Sequence, residues 1–114
     1  MATTNDNGLI EQETIDRAAD LLLKAAPEGS EVILFGSYAR GDARADSDLD
    51  FMVVEPVVKG QRAESVRLRK ALGSIRASID VLVVSRQLFE SWKQIPSNVI
   101  YWAAQEGRVY ARSR

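Results

Sequence analysis

Two apolar runs joined by a polar turn constrain this chain more than any other stretch. Glu31–Phe35 (EVILF) ends at Gly36-Ser37, and Asp48–Glu55 (DLDFMVVE) opens on two aspartates and is closed by Pro56. Runs this short, bounded by turn-forming residues, read as β-strands. Side chains alternate faces along a strand, so Asp48 and Asp50 project one way and Leu49 and Phe51 the other. Two carboxylates about 6 Å apart repel by roughly 2–3 kcal/mol at an effective dielectric near 20. Such a pair stays ionised mainly when a cation lies between its members. Carboxylate oxygens suit Mg²⁺, which also takes oxygens from substrate phosphates. The pattern therefore predicts a metal–nucleotide site.

The rest of the chain supplies a framework for these strands. Ile10, Thr14, Ala18, Leu21, Leu22 and Ala25 recur with a helical period that Pro27 and Gly29 stop. The segment after Ser37 has room for one helical turn before Gly41. Gln61–Arg76 resumes a helical period, with Leu68, Ala71, Leu72 and Ile75 inward and Arg62, Arg67, Arg69 and Lys70 on a solvated outer face. Ser78–Val84 (SIDVLVV) has Val and Leu on both faces, which predicts a central strand covered on both sides. Ser85 is placed to cap a helix that ends before Pro96, and Ser97 to cap another that runs through Glu106 and stops at Gly107. Arg108–Ala111 reads as a short edge strand. Residues 1–9 are expected to be disordered, and residues 10–114 to form a single domain. The fold class is α+β: a small mixed β-sheet with helices packed on it.

Composition narrows the chemistry. The chain has no cysteine and no histidine, which removes thiolate and imidazole nucleophiles, Cys/His zinc sites and any Ser-His-Asp triad. Metal chemistry here must be carboxylate chemistry. A net charge of −1 gives no bulk basic field, so neither nucleic acid nor a membrane surface is an expected partner. The first residues (MATTNDNG) have no signal-peptide pattern, and no apolar run approaches the roughly 20 residues of a membrane span, so a cytoplasmic location is expected.

The candidate nucleotide-binding residues are Gly36, Ser37 and Arg40. A missing Cβ lets phosphate approach the backbone, a hydroxyl adds a donor, and a guanidinium one turn later offsets triphosphate charge. Taken alone, Gly-Ser is a routine turn with a capping serine, and an isolated Asp-x-Asp is equally common. The third candidate carboxylate is Asp80, inside an apolar run where a lone ionised group would be costly. If the third strand neighbours the second, Asp80 joins Asp48 and Asp50 as a metal ligand. Otherwise it is a strand-end residue satisfied by backbone or by an arginine.

Gly36-Ser37, ten intervening residues and Asp48-Leu49-Asp50 resemble the GS-x10-DxD signature of the DNA polymerase β-like nucleotidyltransferase superfamily. The fuller string GSYARGDARADSDLDFMVV is similar to the minimal nucleotidyltransferase (MNT) antitoxins, whose third carboxylate falls at Asp80 and whose usual ending resembles EGRVY, Glu106–Tyr110. The resemblance implies a polymerase β-like fold. It also implies transfer of AMP from ATP, with Mg²⁺ (two ions), to a tyrosine of a partner HEPN-domain ribonuclease toxin. In a two-metal arrangement, Asp48 and Asp50 would hold both ions, while Asp80 would bind the catalytic ion and accept the nucleophile's proton. Two other readings stay open: an antitoxin that acts by binding alone, and a small-molecule nucleotidyltransferase of the aminoglycoside-modifying type. The chain has room only for a catalytic unit, which favours a macromolecular acceptor. Trp92, Tyr101 and Trp102 could dock it or could simply pack against the sheet.

Overall fold

The computed structural model describes residues 4–73 and 75–111. Its elements are α1 (Gln12–Ala25), β1 (Glu31–Phe35), α2 (Ser37–Arg40), β2 (Leu49–Glu55), α3 (Gln61–Ala71), β3 (Ile79–Ser85), α4 (Arg86–Trp92), α5 (Val99–Glu106) and β4 (Arg108–Ala111). The four strands form one mixed sheet in the order β3-β2-β1-β4. β1 is antiparallel to both β2 and β4, and β2 is parallel to β3. The parallel pair requires a crossover, and α3 supplies it.

Alternation along the strands sorts the core onto two faces. Leu49, Phe51 and Val53 of β2, with Val81 and Val83 of β3, pack beneath α1 and α3 against Leu22 and Leu68. Met52, Val54 and Val84 face the other way, against Phe89 of α4 and Ile100 of α5. Fully burying side chains of this size contributes about 1.5–3 kcal/mol each, which explains why both faces of β2 are apolar beyond Asp50.

The expected α+β architecture is what the chain adopts, with local differences. β3 is an edge strand rather than a central one. Its run of Val and Leu survives at the edge because α3 covers the free side: Gln61 Nε2 donates to the Val83 carbonyl at 2.7 Å, and Ser65 Oγ donates to that of Val81 at 2.8 Å. These bonds occupy acceptors that an open edge would offer to another strand. α3 ends at Ala71, short of Arg76, and Gly73 follows in a left-handed conformation (φ 55°). The cap of α5 is Asn98, whose side chain accepts from the Tyr101 amide at 2.8 Å, one residue beyond the expected Ser97. Ser85 caps α4 as expected, accepting from the Leu88 amide at 3.1 Å.

Of the N-terminal segment expected to be disordered, residues 1–3 lie outside the described residues. Thr4 pairs with Ile10, and Asn5 Oδ1 accepts from the amides of Asn7 and Leu9. The Ile10 amide donates to the Tyr38 hydroxyl at 3.0 Å, tying this turn to α2. Among the described residues, no helix is long and apolar enough to cross a membrane.

At the far end of β2 lies a buried carboxyl. Glu55 is 2% exposed, and its Oε2 has no hydrogen-bond partner among the described residues. Burial raises its pKa first, and a hydrogen bond to the Glu64 carboxylate raises it further. Glu64 is held low, chiefly by a two-pronged bond from Arg67 at 2.7 and 2.8 Å. These opposite directions make Glu55 the expected holder of a proton between the two. A raised native pKa means that folding takes up a proton above the ordinary glutamate range, so stability falls as pH rises through that window. Glu55→Gln keeps the shape and the donor but removes the titration. Thermal melts should agree within about 2 °C at about pH 5, with the variant about 5 °C more stable at about pH 9. Parallel melting curves for the two proteins across that range would show that Glu55 is charged in the native state.

Candidate active site

The sheet and its register bring the acidic residues together. Asp50 lies opposite Asp80 across the parallel β2–β3 pair and opposite Phe35 across the antiparallel β1–β2 pair. Alternation puts Asp50, Asp80 and Phe35 on the face shared with α4 and α5, because their neighbours Leu49, Phe51 and Val81 are buried on the α1–α3 face. Asp48 precedes β2 and is exposed, while Asp50 is half-buried. Partial burial raises the pKa of Asp50 first, and the negative charges of Asp80 and Asp48 then add to that shift, with Arg40 opposing. Asp50 thus has a carboxylate neighbour on an adjacent strand and another two residues upstream. Neither the Asp48 nor the Asp50 side chain has a hydrogen-bond or ion-pair partner among the described residues.

The donor set suits a hard divalent cation: oxygen ligands with repulsion that a cation would relieve. In this conformation no three acidic side chains among the described residues converge closely enough to enclose an ion. Asp80 is the reason for part of this. It is exposed, rather than held in the apolar surroundings its sequence neighbours suggested, because it stands at the start of an edge strand. Arg69 Nη2 lies 3.7 Å from its Oδ1, with both side chains more than half exposed. At this distance and exposure the pairing is weak and leaves the carboxylate free to turn.

Gly36 joins the end of β1 to α2, with φ 79° and ψ −156°, a conformation that side chains disfavour. A Cβ at this position would run into the Asp50 carboxylate and lie 3.2 Å from its Cγ. The glycine therefore lets the turn and the aspartate share one space. Ser37 opens α2 immediately beside it. The Gly36 amide and Arg40, two of the expected phosphate contacts, are both engaged by Glu106: its Oε1 accepts from the Gly36 amide at 3.2 Å and from Arg40 Nη1 at 3.1 Å. Arg40 Nε also donates to Asp42 at 3.2 Å. Beside this turn a cleft of about 570 Å³ opens between β1 and α5, lined by Phe35, Gly36, Arg40, Asn98, Trp102 and Glu106.

Sequence reasoning missed Glu106 and Arg69 as members of this neighbourhood. Glu106 meets the turn across 66 and 70 positions, a separation that no local pattern signals, and its only trace was the EGRVY ending. Arg69 was assigned to the solvated face of α3, and its helical phase fits that face. Of the three aromatic residues considered for docking or packing, Trp92 and Trp102 stay 45% and 52% exposed, while Tyr101 is half-buried with its ring edge-on to Trp102 at 5.1 Å.

Comparison with known proteins identifies the fold and the family. Residues 15–106 match the family model described as a nucleotidyltransferase domain. The crystal structure of a candidate nucleotidyltransferase from Sulfolobus solfataricus superposes with a TM-score of 0.54 and 18% sequence identity, covering 96% of this chain and 90% of that one. At that identity the likeness concerns the fold. No curated protein matches the sequence.

Proposed function

The chain belongs to the nucleotidyltransferase domain family, and from that premise we propose that it is a Mg²⁺-dependent protein adenylyltransferase. It uses ATP and modifies a tyrosine hydroxyl of a HEPN-domain ribonuclease toxin, for which it serves as antitoxin. One observation carries the chemical part of this reading: Asp50 and Asp80 stand in register on adjacent strands, with Gly36 pressed against the Asp50 carboxylate. A nucleotide phosphate seated at the Gly36-Ser37 turn would lie next to two carboxylates able to share its cation.

Asp48, Asp50 and Asp80 would hold Mg²⁺, which when bound supplies charge neutralisation for the triphosphate and lowers the pKa of the attacking hydroxyl. The chain's own residues do the rest. Ser37 and the start of α2 offer donors to the phosphate oxygens. The acceptor oxygen bonds to the α-phosphorus as the bond to the bridging oxygen breaks, pyrophosphate leaves, and the hydroxyl proton passes to the Asp80 carboxylate. Asp80 suits that role because it is exposed at the sheet edge, where an acceptor can reach it.

The protein acceptor is supported by the surface around the cleft. Trp92, Ile95, Val99 and Trp102 leave 44–52% of their surface exposed along α4, α5 and their connection. Aromatic anchors of this kind are enriched at protein interfaces. Co-expression with the partner toxin, followed by mass spectrometry, tests the proposal. AMP on a toxin tyrosine, absent with Asp48→Asn, is the expected result. An inhibited but unmodified toxin would mean that the protein acts by binding alone.

A further inference from the structure

We infer that Glu106 is a positioning residue for this site: it clamps the Gly36–Arg40 turn in its phosphate-receiving shape rather than standing in for the phosphate. The inference rests on the nucleotidyltransferase reading above and adds a role for a residue outside the acidic cluster.

A single oxygen, Oε1, joins the two ends of the turn by accepting from the Gly36 amide and from Arg40 Nη1. α2 is one turn long, and Gly36 offers it no side-chain cap. Short helices are costly to nucleate, so an external tie that links entry to exit has a large influence on their order. The tie is itself rigidly based. Glu106 is the last residue of α5, and the next residue, Gly107, sits so close to β1 that an added Cβ would overlap the Ile33 side chain and lie 3.1 Å from the Leu34 carbonyl. Glu106 is thus fixed to the same strand that feeds the turn. Its side chain is only 19% exposed.

The bonding pattern also separates clamp from ligand. The Gly36 carbonyl accepts from the amides of Ala39 and Arg40, and the Gly36 amide is taken by Glu106. The amides of Ser37 and Tyr38, at the start of α2, have no protein partner among the described residues, as is usual for the first positions of a helix. A phosphate can use those donors with Glu106 still in place. Arg40, shared between Asp42 and Glu106, then acts as a strut of the turn.

Two measurements on the full chain test this, using Mg²⁺ with α,β-methylene-ATP as the probe. Calorimetric titration should show Glu106→Ala binding the complex about 30-fold more weakly than wild type, while Glu106→Gln, which keeps the acceptor for the Gly36 amide, stays within about threefold. Amide hydrogen exchange over residues 39–42, whose amides close the turn, should accelerate without nucleotide at least about tenfold in Glu106→Ala and much less in Glu106→Gln. If Glu106→Ala fails to fold, Glu106→Asp replaces it, because a carboxylate one methylene shorter keeps the charge but loses reach; about tenfold weaker binding is then expected. Tighter binding in both Ala and Gln variants would make Glu106 a competitor of the phosphate and overturn the inference, as would unaltered binding and exchange in Glu106→Ala. A wild-type chain that binds no Mg²⁺–nucleotide overturns the site reading itself, and with it the use assigned to the clamp, whatever the exchange shows.

Discussion

Asp50→Asn should fold like wild type and lose metal-dependent nucleotide transfer by a factor of about a thousand or more, a loss of roughly 4 kcal/mol of transition-state stabilisation. The two halves of this expectation have separate causes. Asn matches Asp in shape, and Asp50 has no hydrogen bond among the described residues that the amide would break. Removing its charge also relieves repulsion from Asp80 and Asp48, so thermal stability should be unchanged or slightly higher. In the proposed reaction catalysis needs the charge itself, because a neutral amide oxygen is a much poorer ligand for a hard divalent ion. Label transfer from α-labelled ATP, measured beside a melting curve, checks both. Transfer within tenfold of wild type in a folded variant would remove Asp50 from the reaction.

Gly36→Ala should cost both stability and the geometry of the site. The backbone at φ 79° and ψ −156° is strained for any side chain, at about 1–3 kcal/mol. The added Cβ must also displace the Asp50 carboxylate. Together these predict a loss of about 2–4 kcal/mol of stability and transfer reduced to background even below the melting temperature. Gly41→Ala is the matched control. Gly41 also has a positive φ, 86°, but an added Cβ would meet nothing within 4 Å. It should cost about 1 kcal/mol and leave transfer within a few-fold. Equal effects at the two positions would mean that backbone strain alone, and not the approach to Asp50, requires glycine at Gly36.

Local rules carried much of the architecture. The period-two pattern in DLDFMVVE correctly placed Leu49 and Phe51 in the core opposite the aspartates, because one face of β2 must be buried and a one-residue slip would invert it. The candidate aspartates were legible for the same reason, and the β2–β3 register then aligned Asp80 with Asp50. What sequence could not yield was tertiary. An all-apolar strand reads as central unless one knows that Gln61 and Ser65 arrive from α3 to cover its edge. The exposure of Asp80 follows from that edge position, not from its neighbours. Glu55 reads as an ordinary strand-end charge, and only packing shows it buried against Glu64. The bond from Glu106 to the Gly36 turn depends on how α5 returns along β1, which no spacing in the chain encodes.

The proposed function requires Asp48, Asp50 and Asp80 to act as one cation site fed by the Gly36-Ser37 turn. Electron paramagnetic resonance of Mn²⁺, used in place of Mg²⁺, measures this directly. With ATP present, wild type should bind about two ions per chain, and Asp50→Asn combined with Asp80→Asn should bind none beyond the amount held by free nucleotide. Equal Mn²⁺ binding by the two proteins would contradict it.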